Sequence, residues 1–281
     1  MQQSQKLYDK SQIFDKLLYH KRKQSHDAQT DFLHQLVEER ICERLDLINR
    51  DFANILVYGG AGKIISAHHK IGKTWVANSH PSNNSNLAYD DEHLPFEHNV
   101  FDAIFSLLHL HHANDLAGAL IQMTNALKPD GLLLVAVAGV HSLQELRHCL
   151  SFAEMQGGGI SPRIAPFMDI RDAGALMQRA HLQLPVVDDE IIRLSYENMF
   201  ALMQELRMAG EANILRDRCK NFTARGLFMN AAEEYRNKFS DDDGRVKATA
   251  HLLYLTGWKA GENQQQPLQR GSGKLSMKDI F

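Results

Sequence analysis

Cysteine is scarce in this chain, and long apolar runs are scarcer. Only three cysteines occur among 281 residues, and their positions, Cys42, Cys149 and Cys219, match neither a zinc motif nor a disulfide framework. They are predicted to be buried, reduced thiols. The longest apolar run, 132–140, is about half the length that a membrane-spanning helix needs, so no transmembrane segment is expected.

An excess of charge of either sign is also missing. The formal net charge is −3, which gives no general attraction to a phosphate backbone, so nucleic acid is not an expected partner. Residues 1–30 have no continuous apolar stretch of the kind that marks a secretory signal. Asp9, Asp15 and Asp27 interrupt the basic residues there, whereas a mitochondrial presequence is poor in acids. A bacterial-type cytoplasm is therefore expected, with the mitochondrial matrix as the second choice.

What the chain does have is an alternation of apolar strands and amphipathic helices. The spacing of apolar residues from Phe32 to Ile48 predicts a helix. Strands are predicted at 54–58, 73–77, 101–108 and 132–137, and two later ones at 190–194 and 248–255. Helices are predicted at 116–127, 143–155, 173–180, 199–208 and 228–239. This order predicts an α/β fold with a doubly wound, Rossmann-like sheet, preceded by a helical arm over 1–50. The main domain is expected over 51–260, with a helical C-terminal insertion, and a polar tail over 261–281.

Several segments then match a known family. They are a strand that ends in the turn Gly59-Gly60-Ala61-Gly62, the acidic stretch before Leu94-Pro95-Phe96, the strand start Phe101-Asp102-Ala103-Ile104, and the turn Leu127-Lys128-Pro129-Asp130-Gly131. Together they resemble the class I S-adenosylmethionine-dependent methyltransferases. Narrower matches, at 158–167, 208–213, 255–259 and 264–268, are similar to the branch of biotin-synthesis-type methyltransferases and of the respiratory complex I assembly factor, which is understood as a protein arginine hydroxylase.

The resemblance implies S-adenosylmethionine as the cofactor and assigns its site. Backbone amides after the first strand would face the methionine end, a residue after the second strand would face the ribose, and acids further on would face the adenine. The implied cofactor-binding residues are Gly59, Gly60, Gly62, Asn78, Asp90, Asp91 and Leu107. Three positions depart from the family pattern: Val57 replaces an acid, and Ala61 and Lys63 replace glycines. These departures predict a weakened site.

Candidates for catalysis lie at two places. His111 and His112 follow the Phe101 strand, where an open α/β sheet forms its ligand crevice, although a polar strand end capped by Asn114 or Asp115 would explain them equally. Arg163 could hold a carboxylate of a protein substrate. Glu211 and Asn213 are placed near the substrate only by the family match. No iron-type triad stands out in the sequence, and no metal is predicted.

Three functions remain open from the sequence. The first is an S-adenosylmethionine-dependent methyltransferase that acts on a protein, as the resemblance implies for a complex I subunit. The second is a protein arginine hydroxylase of the same fold, and the third is a non-catalytic assembly factor with a degenerate cofactor site. Whether the chain is an enzyme is left open, because a fold does not fix a function.

Overall fold

The computed structural model describes residues 12–23, 32–79, 87–90, 92–262 and 264. Asp91 and most of the predicted polar tail lie outside this range. Eight α-helices occur in the described part of the chain: α1 Lys16–Lys23, α2 Phe32–Asp46, α3 Lys63–Ser66, α4 Leu116–Ala126, α5 Gln144–Gln156, α6 Ile170–Arg179, α7 Met199–Met208 and α8 Arg225–Phe239. Its seven strands are β1 Phe52–Tyr58, β2 Ile71–Asn78, β3 Leu87–Ala88, β4 Phe101–Leu107, β5 Leu127–Ala138, β6 Leu182–Tyr196 and β7 Val246–Lys259.

All seven strands form one sheet in the order β3-β2-β1-β4-β5-β7-β6. The first five are mutually parallel, and β7 runs antiparallel to both β5 and β6. The chain moves outward from β1 to β2 and β3, then returns to add β4 and β5 on the other side of β1. The switch point between β1 and β4 is where such sheets form a ligand crevice. The predicted doubly wound, Rossmann-like fold is confirmed.

Burial on both faces explains why β1, β4 and β5 read as continuous apolar runs. Alternate residues of β1 enter different cores: Leu56 and Tyr58 belong to one cluster, and Ile55 and Val57 to the other. The second cluster also contains Val37, Ile41 and Leu45, one side of α2. The side chains of α2 thus complete the main core, while the domain boundary expected at residue 50 stays a prediction.

The helical part after residue 140 has its own core. Helices α5, α7 and α8 pack together around Cys149 and Tyr235, both fully buried. No helix in the described ranges is long and apolar enough to cross a membrane. Cys219 is exposed and Cys42 is half-buried, so the prediction of three buried thiols holds only for Cys149.

Two details of the sheet differ from the sequence-based expectation. The strand β3 was not predicted, because two residues carry no periodicity, and the Phe101 strand is therefore the fourth and not the third. The stretch 128–131, predicted as a turn, is the start of β5, with Asp130 at a φ of 62°. The chain bends there inside the strand, beside a register shift between Phe101 and Ala103.

Candidate functional site

The carboxyl ends of β1, β3 and β4 meet at one rim of the sheet. Gly59 follows β1, Asp90 lies two residues after β3, and His109 lies two residues after β4. Because these strands are parallel, their carboxyl ends share an edge. The glycine-rich turn and the acidic segment therefore share a rim with the histidines, as the sequence led us to expect.

The glycine-rich turn is closely packed against the end of β4. A β-carbon added to Gly59, whose φ is +89°, would lie 2.6 Å from both the Leu107 carbonyl oxygen and the His109 β-carbon. One added to Gly60 would lie 2.3 Å from a terminal methyl carbon of Leu107. Contact with the β4 backbone therefore requires glycine at position 59, whereas the neighbour at position 60 is the end of a flexible side chain. Leu107, predicted to line the cofactor, is fully buried and fills the space beside Gly60.

A carboxylate of α2 accepts hydrogen bonds from the backbone amides after the turn. Glu38 accepts hydrogen bonds from the amide nitrogens of Gly62 at 2.9 Å, Ile64 at 2.8 Å and Ile65 at 3.3 Å. The Glu38 side chain is buried. Amides at the start of a helix attract anions, and here an internal anion satisfies them. Gly59 is engaged as well, since its amide donates to the Ala77 carbonyl at 3.0 Å.

Aromatic rings pack between the glycine-rich turn and the acidic segment. Tyr58 directly precedes Gly59, Tyr89 directly precedes Asp90, and their rings stack with centroids 4.9 Å apart. His109 packs edge-on to Tyr58 at 4.5 Å. Its Nδ1 lies 2.8 Å from the hydroxyl of Tyr19, a fully buried residue of α1. These four rings join β1, β3, β4 and α1 into one packed layer.

The two polar residues predicted to hold the nucleoside have structural contacts. The backbone carbonyl of Asn78 accepts a hydrogen bond from the backbone amide of Tyr89 at 3.1 Å, which continues the pairing of β2 with β3. The Asp90 side chain accepts the Glu92 amide at 3.0 Å and so caps a turn. His20 of α1 faces Asp90: burial lowers the pKa of His20, and the Asp90 charge partly offsets that shift.

The described residues at this half of the rim do not fit S-adenosylmethionine. The amides of Gly62, Ile64 and Ile65 are taken by Glu38, and Gly59 and Gly60 face Leu107 and not an open space. Val57, in place of the family's acid, is buried in the core. No chemical step is therefore derived through this cofactor.

The other half of the rim carries a cluster of ionisable groups. A 3₁₀ turn over Leu110–His112 follows β4, and it presents two imidazoles to the loop after α7. The Nε2 atoms of His111 and His112 lie 3.4 Å and 3.5 Å from the same carboxylate oxygen, Oε2 of Glu211. The other oxygen, Oε1, lies 2.5 Å from Nζ of Lys23, which also donates to the Ala209 carbonyl at 3.0 Å.

The electrostatics of this cluster keep Glu211 ionised. Burial by itself would raise the pKa of Glu211, but the Lys23 ammonium and then the two imidazoles offset it and hold the pKa well below its ordinary range. Burial lowers the pKa of His112 well below its usual value, and His111 adds to that shift. A carboxylate and a neutral imidazole are thus held side by side. The Lys23 side chain is 4% exposed and that of Glu211 is 22% exposed, so solvent reaches the cluster from the carboxylate side.

A cleft of about 520 Å³ is lined by residues that neighbour two rings of the cluster in the chain. Its wall includes Ile13 and Pro166, and the residues that follow them carry rings onto the imidazoles. Phe14 packs against His112 with ring centroids 5.4 Å apart, and Phe167 against His111 at 6.1 Å. The exposed carboxylate of Asp217 lies at the cleft. The lining of the cleft includes none of His111, His112 and Glu211, so the cleft and the cluster are connected only through neighbouring residues.

Comparison with known proteins decides the family. A methyltransferase-domain model matches residues 70–135. The mitochondrial arginine-hydroxylase NDUFAF5 of rat is 37% identical over 95% of this chain and 83% of its own length, and the human protein is 37% identical over the same shares. The chain belongs to the NDUFAF5 family. It is also 29% identical to the malonyl-[acyl-carrier protein] O-methyltransferase of Xylella fastidiosa, over 83% of each chain.

Solved structures give the same fold. The YcgJ protein of Bacillus subtilis superimposes with a TM-score of 0.53 at 14% identity, over 81% of this chain and 99% of that one. At that identity the likeness concerns architecture alone. The predicted membership of the class I methyltransferase superfamily, in the branch of the arginine hydroxylase, is confirmed.

For this family member, the structure sorts the sequence-predicted site residues. It brings His111 and His112 together with Glu211, which the sequence placed near the substrate only through the family match. Arg163, whose chain neighbours Pro162 and Ile164 line the cleft, pairs with another acid: its Nε donates to Glu154 at 2.5 Å and its side chain is 18% exposed. Its predicted role as a substrate clamp stays a prediction, because the guanidinium already has this partner. Sequence reasoning did not single out Lys23 as a site residue.

Proposed function

We propose that this chain is a protein-arginine hydroxylase, and that the reaction takes place at Glu211 and not at the glycine-rich turn. Relatives along almost the whole chain carry that activity in their names. The observation that carries the proposal is Glu211 itself, a partly exposed carboxylate held between the Lys23 ammonium and two imidazoles.

The proposed reaction needs co-reactants besides the protein substrate. One C–H bond of the arginine side chain is replaced by a C–O–H group. One oxygen atom of dioxygen enters the product, and the other leaves as water after taking up two electrons and two protons. The electron donor is a two-electron reductant of small-molecule or protein class. Lys23 and Glu211 hold opposite charges at fixed positions in the cluster, while Phe14 and Phe167 cover the two imidazoles.

The substrate is expected to be a subunit of respiratory complex I, as the sequence resemblance implies. Mass spectrometry of the complex I subunits from a strain that lacks this gene tests the proposal. We expect one arginine-containing peptide to lose the mass of one oxygen atom relative to wild type, and to regain it on complementation. Unchanged peptide masses would contradict the proposal.

Methylation is the second candidate, because a methyltransferase-domain model and an O-methyltransferase both match the chain. The same mass spectra distinguish it, since the peptide would lose the mass of one methylene group instead. The third candidate, a non-catalytic assembly factor, is favoured by the packed rings at Tyr58 and Tyr89. This candidate predicts that the strain lacking the gene shows no change in peptide mass but fails to assemble complex I.

S-adenosylmethionine, which the superfamily implies, is given no role in the proposed reaction. Calorimetric titration at millimolar cofactor should give neither heat nor a shift of the thermal midpoint, because Glu38 already occupies amides that the cofactor would need. Measurable binding would restore the methyltransferase candidate. The compartment is part of the proposal as well: we keep the cytoplasm, although the relatives are named mitochondrial, and cell fractionation decides between the two.

A further inference from the structure

Three side chains with metal-ligand chemistry converge on one point of the rim. His111, His112 and Glu211 each offer one ligand atom, and these three atoms lie within 4.8 Å of one another. They come from distant parts of the chain, the 3₁₀ turn after β4 and the loop after α7. Two imidazoles and one carboxylate form the facial set that typically binds Fe(II) and leaves coordination positions open.

The distances within the cluster suit a metal better than hydrogen bonds. The two Nε2 atoms lie 3.4 Å and 3.5 Å from Oε2 of Glu211, whereas a good N–H···O bond spans about 2.7–3.2 Å. Ligand atoms that surround a metal at about 2.1 Å are separated by about 3.0–3.4 Å from one another, according to the coordination number. The two nitrogen–oxygen spacings found here are close to those of an assembled site.

Hydrogen bonding to other groups does not explain how the two rings are oriented. The Nδ1 atoms of His111 and His112 are buried and have no hydrogen-bond partner in the described ranges of the chain. A buried imidazole without good hydrogen bonds on either nitrogen is costly. A metal bond at Nε2 would provide each ring with a strong partner on the side that faces Glu211.

The carboxylate is divided between two functions. Nζ of Lys23 binds Oε1 and leaves Oε2 for the histidine side. The rings of Phe14, Tyr19 and Phe167 pack around the two imidazoles, so the cluster is dry on its inner side. The partial exposure of Glu211 provides an entry route for an ion.

We propose that His111, His112 and Glu211 bind one divalent transition-metal ion, and that this ion is ferrous iron. The choice of iron rests on the proposed hydroxylase function, but the ligand set does not. Three protein ligands would leave further coordination positions of such an ion free for water, dioxygen or substrate.

Metal binding to the full chain tests the proposal without any measurement of activity. Metal-stripped protein is titrated with Co²⁺, whose visible absorption bands report coordination by nitrogen, and anaerobically with Fe²⁺ under equilibrium dialysis. We expect one ion per chain. Glu211→Gln and His112→Gln should each weaken binding by at least about 100-fold, because a lost ligand costs at least as much as a lost second-shell partner.

A control variant is offered by a second group of metal-ligand side chains, Asp46, His68 and His69, in which Asp46 and His69 are exposed. His68→Asn should leave the Co²⁺ spectrum and stoichiometry at their wild-type values. If His68→Asn removes the ion and Glu211→Gln does not, binding belongs to that surface group and the proposal is wrong. An absence of Co²⁺ and Fe²⁺ binding by wild-type protein would be equally decisive against it.

Removal of Glu211 could impair folding, since Lys23 would lose its partner, so near-ultraviolet circular dichroism accompanies each titration. Lys23→Met provides the second variant, because it keeps all three ligands and removes a competing cation. Folded Lys23→Met protein should bind Co²⁺ as tightly as wild type or several-fold more tightly, and loss of binding would overturn the assignment.

Metal binding without a mass change in the substrate contradicts the proposed function alone. A mass change that persists in Glu211→Gln contradicts the metal site and the placement of the reaction at Glu211, but leaves the hydroxylase activity itself standing.

Discussion

The two halves of the rim lie at the same edge of the sheet but differ in the side chains that occupy them. Around the glycine-rich turn, protein groups satisfy the amides, and the rings of Tyr58, Tyr89 and His109 fill the space. Around Glu211, ionisable groups are concentrated and partly exposed. The same crevice of a doubly wound sheet can therefore be filled by protein groups at one end while ionisable groups gather at the other, and the fold alone does not say which end reacts.

Removal of the Tyr58 ring should have the largest effect on the half of the rim around the glycine-rich turn. Tyr58→Ala should lower the free energy of unfolding by about 3–5 kcal/mol, because it leaves a cavity under Tyr89 and His109. Tyr58→Phe keeps the ring and should cost less than about 1.5 kcal/mol. Urea denaturation measures both. Equal, small losses would mean that the stacked rings do not hold this half together.

A β-carbon at Gly59 should be the next most damaging change. Gly59→Ala combines a left-handed backbone with a clash against the Leu107 carbonyl, and we expect a loss of about 3 kcal/mol in the free energy of unfolding. Gly158→Ala is the matched control, since its φ is +84° but nothing lies within 4 Å of the added carbon. It should cost about 1 kcal/mol. Similar losses at both positions would show that backbone strain, and not packing against β4, sets the requirement for glycine.

The internal anion can be tested by removing its charge. Glu38→Gln weakens the hydrogen bonds to three amides, two of them buried, and should cost about 1–3 kcal/mol in the free energy of unfolding. Glu39→Gln, at the next and exposed position of α2, should change it by less than about 0.5 kcal/mol. A neutral Glu38→Gln variant that gains affinity for S-adenosylmethionine would show that Glu38 excludes the cofactor directly.

A smaller effect is expected from His20, which faces Asp90. Because burial lowers the folded-state pKa of His20, the unfolded chain takes up a proton first as the pH falls. The stability is therefore full above about pH 6.5 and declines below it, by no more than about 1.4 kcal/mol per pH unit. His20→Asn should flatten this part of the pH profile of the unfolding free energy. Asp90→Asn should steepen it, because Asp90 opposes the shift.

The sequence predicted the elements whose cause is local. The apolar runs of β1, β4 and β5 identified buried parallel strands, and α7 was predicted with its observed bounds, after an Asn198 cap that accepts two amides. Helix α4 likewise begins after Asp115, which caps it through the Gly118 amide. The missed strand β3 is too short to show a period.

The site was less predictable because it depends on distant pairings. Glu211 and Lys23 each lie about ninety or more positions from the histidines along the chain, and only the tertiary fold brings them together. In the sequence, Glu38 looks like any other acidic residue of an amphipathic helix, and only the structure shows that it is buried. The glycines were correctly singled out, but sequence could not tell whether a ligand or Leu107 required them.

The most direct test of the account compares the two halves of the rim in one cell-based experiment. A deletion strain is complemented with Glu211→Gln or with Asp90→Asn, and the hydroxylated fraction of the target arginine is measured by mass spectrometry. The account predicts at least about a 100-fold loss for Glu211→Gln and a wild-type level for Asp90→Asn, with both proteins present at equal abundance. Full modification with Glu211→Gln, or its loss with Asp90→Asn, would contradict the account.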